Sequence, residues 1–215
     1  MKIKYLGHAA FVITSDGGVK IITDPYTTSP DLTYGEIRTT ADIVTVSHDH
    51  FDHCNVAAVG GNPQVMRRAE VSNAKGIRFR GIKSYHDDEG GRMRGNNIIF
   101  CFEVDGFKLC HLGDLGHSLE DKQKAEIGSV DILFIPVGGY YTIDAKTATE
   151  VCDQLTPGVI IPMHYRTNKG LHNIAGVDEF LRGKDKVKWL DTSQLEFRAG
   201  GLPDAGQIIV LKPAL

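Results

Sequence analysis

Short runs of apolar and β-branched residues recur along the chain, separated by turn residues such as Asp16-Gly17-Gly18. Runs of this length and composition predict strands. The predicted strands are Ile3–Leu6, Ala10–Thr14, Val19–Thr23, Ile43–Ser47, Ile77–Tyr85, Ile98–Val104, Phe107–Leu112, Ile132–Val137, Val159–Met163, Val187–Leu190 and Ile208–Leu211. Gly81, inside one of these runs, is a candidate β-bulge.

Helical patterns fall between the later strands. Asp144 predicts an N-cap, followed by an apolar stripe that ends before Pro157. The stripe consists of Ala145, Ala148, Cys152 and Leu155. Ser118–Ile127 and Val177–Arg182 are shorter candidate helices. Because no repeat or linker divides the chain, we expect one α/β domain over residues 1–215, with stacked sheets and outer helices.

Composition narrows the classes of function. The chain has 215 residues, a net charge of −3 and 41% apolar residues, which is ordinary for a globular domain. No clustered Lys/Arg stripe is present, so we expect no nucleic-acid partner. The apolar runs are strand-sized and the N-terminus shows no signal segment, so we expect no membrane partner and a cytoplasmic location. The sequence leaves the oligomeric state open.

The four cysteines, Cys54, Cys101, Cys110 and Cys152, show no CxxC spacing, which argues against a thiolate zinc site. Asp105-Gly106 predicts a two-residue hairpin turn. Counting outward from that turn places Cys101 opposite Cys110. A disulfide is one alternative for this pair, but two thiols are expected in a reducing compartment.

The strongest chemical signal is the crowding of His48, His50, Asp52 and His53 directly after a predicted strand. Protonated imidazoles packed this closely repel one another. A divalent cation removes the repulsion, because ligating imidazoles are neutral and the cation attracts the carboxylate. The string therefore predicts a metal site, against the alternative of a solvated, His-rich loop.

The string His48-Asp49-His50-Phe51-Asp52-His53 resembles the signature of the metallo-β-lactamase superfamily. Tyr5-Leu6-Gly7-His8 and Ser84-Tyr85-His86-Asp87 look like its compact branch of metal-dependent hydrolases, related to ascorbate-6-phosphate lactonase. The resemblance implies an αβ/βα four-layer sandwich, α/β in class, with two mixed β-sheets flanked by helices. It also implies a metal centre held by loops at one edge of the sandwich. The chain is shorter than that lactonase, so its sugar-phosphate substrate is not carried over.

The resemblance further implies a third His, a bridging Asp and a final His. His86 and His111 compete for the third position. His86 follows a strand and opens a turn, whereas alternation places His111 on the same strand face as Phe107 and Leu109. His86 is therefore preferred. Gly113-Asp114 resembles the motif with the bridging carboxylate, and Pro162-Met163-His164-Tyr165 resembles the segment with the final histidine.

The complete expected ligand set is His48, His50, Asp52, His53, His86, Asp114 and His164. We expect His48, His50 and His86 on one ion, Asp52, His53 and His164 on the other, and Asp114 on both. Zinc is the working assignment, with manganese and iron as alternatives.

Residues around the expected ligands have weaker signals. His8 and Asp24 are expected to orient ligand imidazoles, and His111 to lie in the core or behind the ligands. Gly139, Tyr140 and Tyr141 are expected near the substrate, with core packing as the alternative for one tyrosine. His117 and His172 are expected to be exposed.

The resemblance predicts an enzyme in which hydroxide from a two-metal centre attacks an ester, lactone, amide or phosphodiester. Asp52 and Asp114 are the candidate catalytic carboxylates, which would move protons. We expect a small-molecule substrate, which Arg92, Arg94 or Arg166 could meet if it is anionic. A nuclease, an iron-dependent redox enzyme and a non-catalytic metal-binding protein remain the alternatives.

Overall fold

The computed structural model describes residues 1–170, 172–198, 200–201 and 205–215. Its strands are β1 Lys2–Gly7, β2 Ala10–Thr14, β3 Lys20–Thr23, β4 Ile43–Thr45, β5 Gln64–Met66, β6 Val71–Ala74, β7 Ile77–Tyr85, β8 Asn96–Val104, β9 Phe107–His111, β10 Ile132–Pro136, β11 Val159–Met163, β12 Val187–Trp189, β13 Gln194–Glu196 and β14 Gln207–Val210. The helices are α1 Asp121–Ile127, α2 Ala145–Leu155 and α3 Val177–Leu181, and Val56–Ala58 forms a 3₁₀ turn.

The strands form two mixed sheets. The first has the order β13-β1-β2-β3-β4-β5, and the second has the order β12-β14-β11-β10-β9-β8-β7-β6. In the first sheet β1, β2 and β3 pair antiparallel, while β3, β4 and β5 run parallel. In the second, β9, β10, β11 and β14 run parallel and the hairpin strands are antiparallel. This architecture confirms the predicted fold class.

The inner faces of the two sheets pack against each other. Ile3, Phe11 and Ile21 of the first sheet meet Phe100 and Phe134 of the second in one core cluster. The rings of Phe11 and Phe134 have centroids 4.6 Å apart. Alternate residues of each strand point inward, so burying each such side chain stabilises the sandwich by roughly 1.5–3 kcal/mol.

The outer faces of the sheets are covered differently. Buried side chains of α2, including Val151 and Leu155, pack on Leu133 and Ile135 of the second sheet. Asp144 caps that helix by accepting a hydrogen bond from the backbone of Thr147 at 2.8 Å, as predicted.

Irregular chain covers the outer face of the first sheet. Tyr26, Leu32, Tyr34 and Ile37 are buried on it, and no α-helix lies between β3 and β4 in this fully described stretch. Pro25, Pro30 and Gly35 interrupt this segment, so it lacks a helical period.

One sequence prediction needs correction here, and three short strands were missed. Gly81 is not a bulge, because β7 pairs with β8 in unbroken register and Gly81 lies opposite Phe100. A Cβ at this position would lie 2.2 Å from the carbonyl oxygen of Arg68, so glycine permits a close backbone approach. The short strands β5, β6 and β13 were not predicted, because polar residues such as Ser72 and Asn73 break their apolar pattern.

The predicted hairpin between β8 and β9 is confirmed. Asp105 and Gly106 both have positive φ, 52° and 82°, which a tight two-residue turn requires. Cys101 pairs with Cys110 in the register counted from that turn. Both are free thiols, with their Sγ atoms 3.6 Å apart.

Candidate metal centre

The seven expected ligands, with His8 beside them, come from strand ends that meet at one edge of the sandwich. His8 follows β1, the His48–His53 loop follows β4, His86 follows β7, Asp114 follows β9 and His164 follows β11. Strand pairing, not closeness in sequence, therefore brings these residues together. All of them except His50 and Asp52 have buried side chains.

Asp114 lies at the centre of the cluster. Its Oδ2 atom is 3.2 Å from the Nε2 atoms of His53, His86 and His164, and 3.9 Å from Nε2 of His48. The ring of His50 is 4.6 Å from that of His48, measured between centroids. The structure thus brings six of the seven expected ligands to one point.

The seventh, Asp52, completes the cluster on the side of His53. Its Oδ2 atom lies 3.8 Å from Nε2 of His53. The potential donor atoms fall into groups whose members lie within 4.8 Å of one another. One group contains His48, His50 and His86, a second contains His8, Asp52, His53 and His164, and a third contains Asp24, His48 and His53.

Several buried atoms in this cluster have no hydrogen-bond partner in the described part of the chain. They include Nε2 of His48, Nε2 of His53 and Oδ1 of Asp114. Buried polar atoms are almost always paired, so these atoms indicate a missing partner. A divalent cation fits, because it accepts electron pairs from imidazole nitrogen and carboxylate oxygen together. The cluster is therefore capable of binding metal.

The electrostatics of the cluster favour metal ligation at some residues. Burial lowers the pKa of His48 to about 3, and the charge of His53 adds to this effect. Burial also lowers the pKa of His50, assisted by His86. These rings are therefore neutral near pH 7, which is the form that binds a metal.

His53 and Asp114 behave in the opposite way. Burial alone would lower the pKa of His53, but the adjacent carboxylates of Asp114 and Asp52 raise it. Burial alone would raise the pKa of Asp114, but His164 and His53 hold it well below its usual range. A positive charge is thus favoured at the centre of the cluster, where a cation would supply it.

Asp24 fixes the ring of His53 from behind. Its Oδ2 atom is 3.0 Å from Nδ1 of His53 and accepts a hydrogen bond from the Ser47 hydroxyl at 2.5 Å. The backbone N–H of Ser47 donates to Oδ1 at 2.8 Å. With Nδ1 engaged in this way, Nε2 of His53 points into the cluster.

His8 occupies the corresponding place beside Asp52. Its Nε2 atom is 3.1 Å from Oδ2 of Asp52, and its ring centroid is 4.2 Å from that of His164. Burial lowers its pKa to about 4. It is one of the potential metal donors, a possibility that the sequence prediction of an orienting role did not include.

Three buried, non-glycine residues of this edge adopt left-handed backbone conformations. They are His8 at φ 55°, Asp24 at φ 37° and His164 at φ 51°. Each such residue costs of order 1–3 kcal/mol, and this kind of strain concentrates at functional sites.

Asn97 is a positioning residue that sequence reasoning missed. Its Oδ1 atom accepts the backbone N–H of Asp114 at 3.0 Å, and its Nδ2 atom donates to the Leu112 carbonyl at 2.9 Å. A Cβ at Gly113, where φ is 56°, would lie 2.4 Å from Asn97 Oδ1, so glycine is required there. In sequence Asn97 looks like a turn residue. A usable signal was nevertheless present, because the count from the Asp105-Gly106 turn that places Cys101 opposite Cys110 also places Asn97 opposite Asp114.

Asp87 organises the loop that follows His86. Its buried carboxylate accepts four backbone N–H groups at 2.7–2.9 Å, from Glu89, Gly91, Met93 and Arg94. Burial alone would raise the pKa of Asp87, but these hydrogen bonds lower it to about 2. The turn-rich sequence after His86 was a usable signal for this role.

His111 is fully buried away from the cluster. Its Nε2 atom lies 2.9 Å from the carbonyl of Ala9, and its Nδ1 atom accepts the backbone N–H of Gly113 at 3.2 Å. Both ring nitrogens are engaged by backbone groups. The structure therefore places His86, and not His111, beside Asp114.

The two remaining histidines differ. His117 is half-buried, because its Nε2 atom accepts the backbone N–H of Tyr85 at 3.2 Å, so the prediction of exposure was wrong for it. His172 is exposed, as predicted.

A cavity of about 350 Å³ opens onto the cluster. It is lined by His50, Phe51, Asp52, His86, Met93, Arg94, Asp114, Tyr141 and His164. Tyr141 lines the cavity, and its expected place near the substrate stays a prediction. Gly139 and Tyr140 do not line this cavity. Gly139 forms a turn at φ 63°, and Tyr140 is 66% exposed beside Tyr141.

Comparison with known proteins places the chain in a family. Residues 2–164, a stretch that contains all seven expected ligands, match the family described as the beta-lactamase superfamily domain. The chain belongs to the metallo-β-lactamase superfamily.

None of the helices in the described residues combines the length and apolar character of a membrane span.

Relatives in this superfamily cover most of the chain. A UPF0173 metal-dependent hydrolase from Carboxydothermus hydrogenoformans is 33% identical, over 78% of this chain and 85% of the relative. Another from Methanospirillum hungatei is 30% identical, over 91% of this chain and 96% of the relative. A crystal structure from Thermotoga maritima is described as a candidate zinc-dependent hydrolase of this superfamily. It is 40% identical in sequence, has a TM-score of 0.81, and is matched over 98% of this chain and 97% of that chain.

These findings confirm the prediction of a metal-dependent hydrolase at the level of the family. The suggested relation to ascorbate-6-phosphate lactonase stays a prediction.

Proposed function

We propose that this metallo-β-lactamase superfamily member hydrolyses a small ester, lactone, amide or phosphodiester at a centre of two divalent ions, with zinc the first candidate. The observation that carries the proposal is the position of Asp114. One of its oxygens lies 3.2 Å from His86, which belongs to the donor group of His48 and His50, and 3.2 Å from His53 and His164, which belong to the donor group of Asp52. A carboxylate in that place is suited to bridge two cations.

The number of donors supports two ions over one. The seven expected ligands exceed the four that a zinc ion usually takes. His48, His50 and His86 would hold one ion, Asp52, His53 and His164 the other, and Asp114 both. When bound, two such cations supply ionised water near neutral pH and a Lewis acid for the acceptor oxygen.

The protein's own residues supply orientation and proton transfer. Asp52 and Asp114 are the two carboxylates that line the cavity, so they are the groups placed to hold a proton there. Asp24 and Asn97 hold His53 and Asp114 in position. A cavity of about 350 Å³ suits a small molecule better than a polymer.

The test combines metal analysis with turnover. Wild-type protein and Asp114→Ala would be loaded with Zn²⁺ or Mn²⁺, analysed for metal content and assayed on ester, lactone, amide and phosphodiester reporters. We expect two ions per wild-type chain, at most one in the variant, and about a thousandfold slower hydrolysis in the variant.

Asp144→Asn is the matched control, because it exchanges one good helix-capping residue for another outside the expected ligand set. It should keep both metal and turnover. Unchanged metal content and turnover in Asp114→Ala would overturn the proposal. A single ion in the active wild-type protein would overturn its two-ion part.

A further inference from the structure

Large apolar side chains are exposed at the mouth of the metal cavity. Five such side chains are exposed among the described residues, and three of them lie here: Phe51, Met93 and Tyr140, at 54%, 73% and 66%. Phe51 and Met93 line the cavity itself, and Tyr140 packs against Tyr141, which also lines it. Clustered apolar exposure at a concave site is typical of a surface that binds a ligand.

Arg94 is fixed in the wall of the same cavity. The carbon of its guanidinium is 5.4 Å from the ring centroid of Tyr141 and 5.8 Å from that of Tyr140, which are cation–π distances. Its backbone N–H donates to the buried carboxylate of Asp87 at 2.7 Å. Arg94 also lines an adjoining cavity of about 390 Å³.

The charge of Arg94 has no carboxylate partner in the described part of the chain. Other arginines of this edge do have one: Arg92 pairs with Glu89, and Arg67 pairs with Asp49. The carboxylates that line the cavity, Asp52 and Asp114, face histidines instead. A half-buried, preorientated guanidinium is suited to bind a carboxylate or phosphate group.

We propose that the cavity recognises an amphipathic substrate, whose carboxylate or phosphate group binds Arg94 while its acyl or aryl part lies on Phe51 and Met93. This inference rests on the proposed hydrolase function and specifies its substrate class. Arg94 acts here as the residue that determines specificity.

A binding experiment tests the anion site without turnover. Hexanoate, hexylphosphonate and the neutral 1-hexanol would be titrated calorimetrically into full-length wild type, Arg94→Gln and Arg92→Gln, each metal-free and metal-loaded. Removing a charge-assisted contact should weaken binding of one or both anions about 10- to 100-fold in Arg94→Gln. In the metal-free series no anion can bind to a metal ion, so a loss of affinity in Arg94→Gln there is due to Arg94.

Arg92→Gln is the matched control, since it removes an equal charge from the same loop at a residue that already has a partner. It should change each affinity less than about twofold. A larger loss for hexylphosphonate identifies a phosphate-type substrate, and a larger loss for hexanoate a carboxylate. Equal affinities in Arg94→Gln and Arg92→Gln would overturn the proposal.

A turnover experiment separates this inference from the proposed function. The substrates are 4-nitrophenyl hexanoate and the mono-4-nitrophenyl ester of adipic acid, which has the same chain length and adds a carboxylate. In Arg94→Gln the kcat/KM ratio of the anionic to the neutral ester should fall about 10- to 100-fold, mainly through KM.

The outcomes are distinguishable. If wild type hydrolyses the neutral and anionic reporters with a ratio that Arg94→Gln leaves unchanged, the inference fails and the hydrolase function stands. If no reporter is hydrolysed but anion binding depends on Arg94, the anion site stands and the proposed hydrolysis of these substrates fails.

Discussion

The two halves of the metal cluster are built differently. In one half, which we call the buried half, Asp52, His53 and His164 are 14% exposed or less. In the other, which we call the open half, His48 and His86 are buried but His50 is exposed. Asp114 lies between the halves.

The halves also differ in charge and support. The buried half contains a carboxylate of its own, and two of its members are held by hydrogen bonds: His53 donates to Asp24, and Asp52 accepts from His8. The open half has three imidazoles and no carboxylate of its own. Its His48 is held by the Ser47 hydroxyl at 2.9 Å. Nδ1 of His86 in the open half and Nδ1 of His164 in the buried half both lack a hydrogen-bond partner in the described residues, so this feature does not distinguish the halves.

This difference indicates which half is better prepared to bind a cation. A site that is preorganised and negatively charged binds a divalent ion more tightly than one of neutral, partly exposed rings. We therefore predict that the buried half fills first and that the open half loses its ion first.

The largest expected effect comes from removing one histidine from each half. His53→Ala should lose the buried ion and slow turnover about a thousandfold, because it also removes the contacts to Asp24 and Asp114. His50→Ala should keep one ion per chain, since the buried half remains intact. Metal content measured after dialysis checks both. Equal metal loss in the two variants would contradict the ranking of the halves.

A smaller effect is expected from the support of the buried half. Asp24→Asn keeps the shape of the side chain but weakens its hold on His53, so the affinity of the buried half should fall about 10- to 100-fold. Competition with a chromophoric chelator measures this affinity. Asp144→Asn serves as the control and should leave the affinity unchanged. An unaltered affinity in Asp24→Asn would show that the hydrogen bond to His53 does not prepare the site.

The smallest effect concerns the loop of the open half. Asp87→Asn leaves one uncharged acceptor oxygen, so two of the four hydrogen bonds from backbone N–H groups are lost and the other two are weakened. The free energy of unfolding should therefore fall by about 1–3 kcal/mol at pH 7. The pKa of Asp87 is lowered from 3.8 to about 2, so its stabilising effect is complete above about pH 3.8. The effect is lost as the pH falls towards 2.

Urea unfolding of metal-free protein at about pH 7 and about pH 3 checks this dependence. The difference between wild type and Asp87→Asn should be smaller at the lower pH. Asp88→Asn, the exposed neighbour, is the control and should match wild type. A difference that stays constant between the two pH values would contradict the role of the Asp87 charge.

The sequence predicted the residue types of the candidate ligands, their order along the chain and much of the local structure. The apolar runs predicted most strands, Asp105-Gly106 predicted the register of Cys101 with Cys110, and Asp144 predicted the start of α2. The motif of His48 to His53 indicated a metal site from local spacing alone. These features depend on neighbours in sequence, where periodicity and turn preference operate.

Only the tertiary structure decided which residues meet. It placed His86, the candidate preferred from sequence, beside Asp114 and enclosed His111 among backbone groups, and it left the charge of Arg94 facing the cavity beside Tyr141. It also showed that Gly81 permits the backbone of Arg68 to approach closely, and that an irregular segment, not a helix, covers the first sheet. The physical reason is that a ligand's chemical type belongs to one residue. Its distance to a partner depends on sheet pairing between segments far apart in sequence, and that pairing is not encoded in any single stretch of the chain.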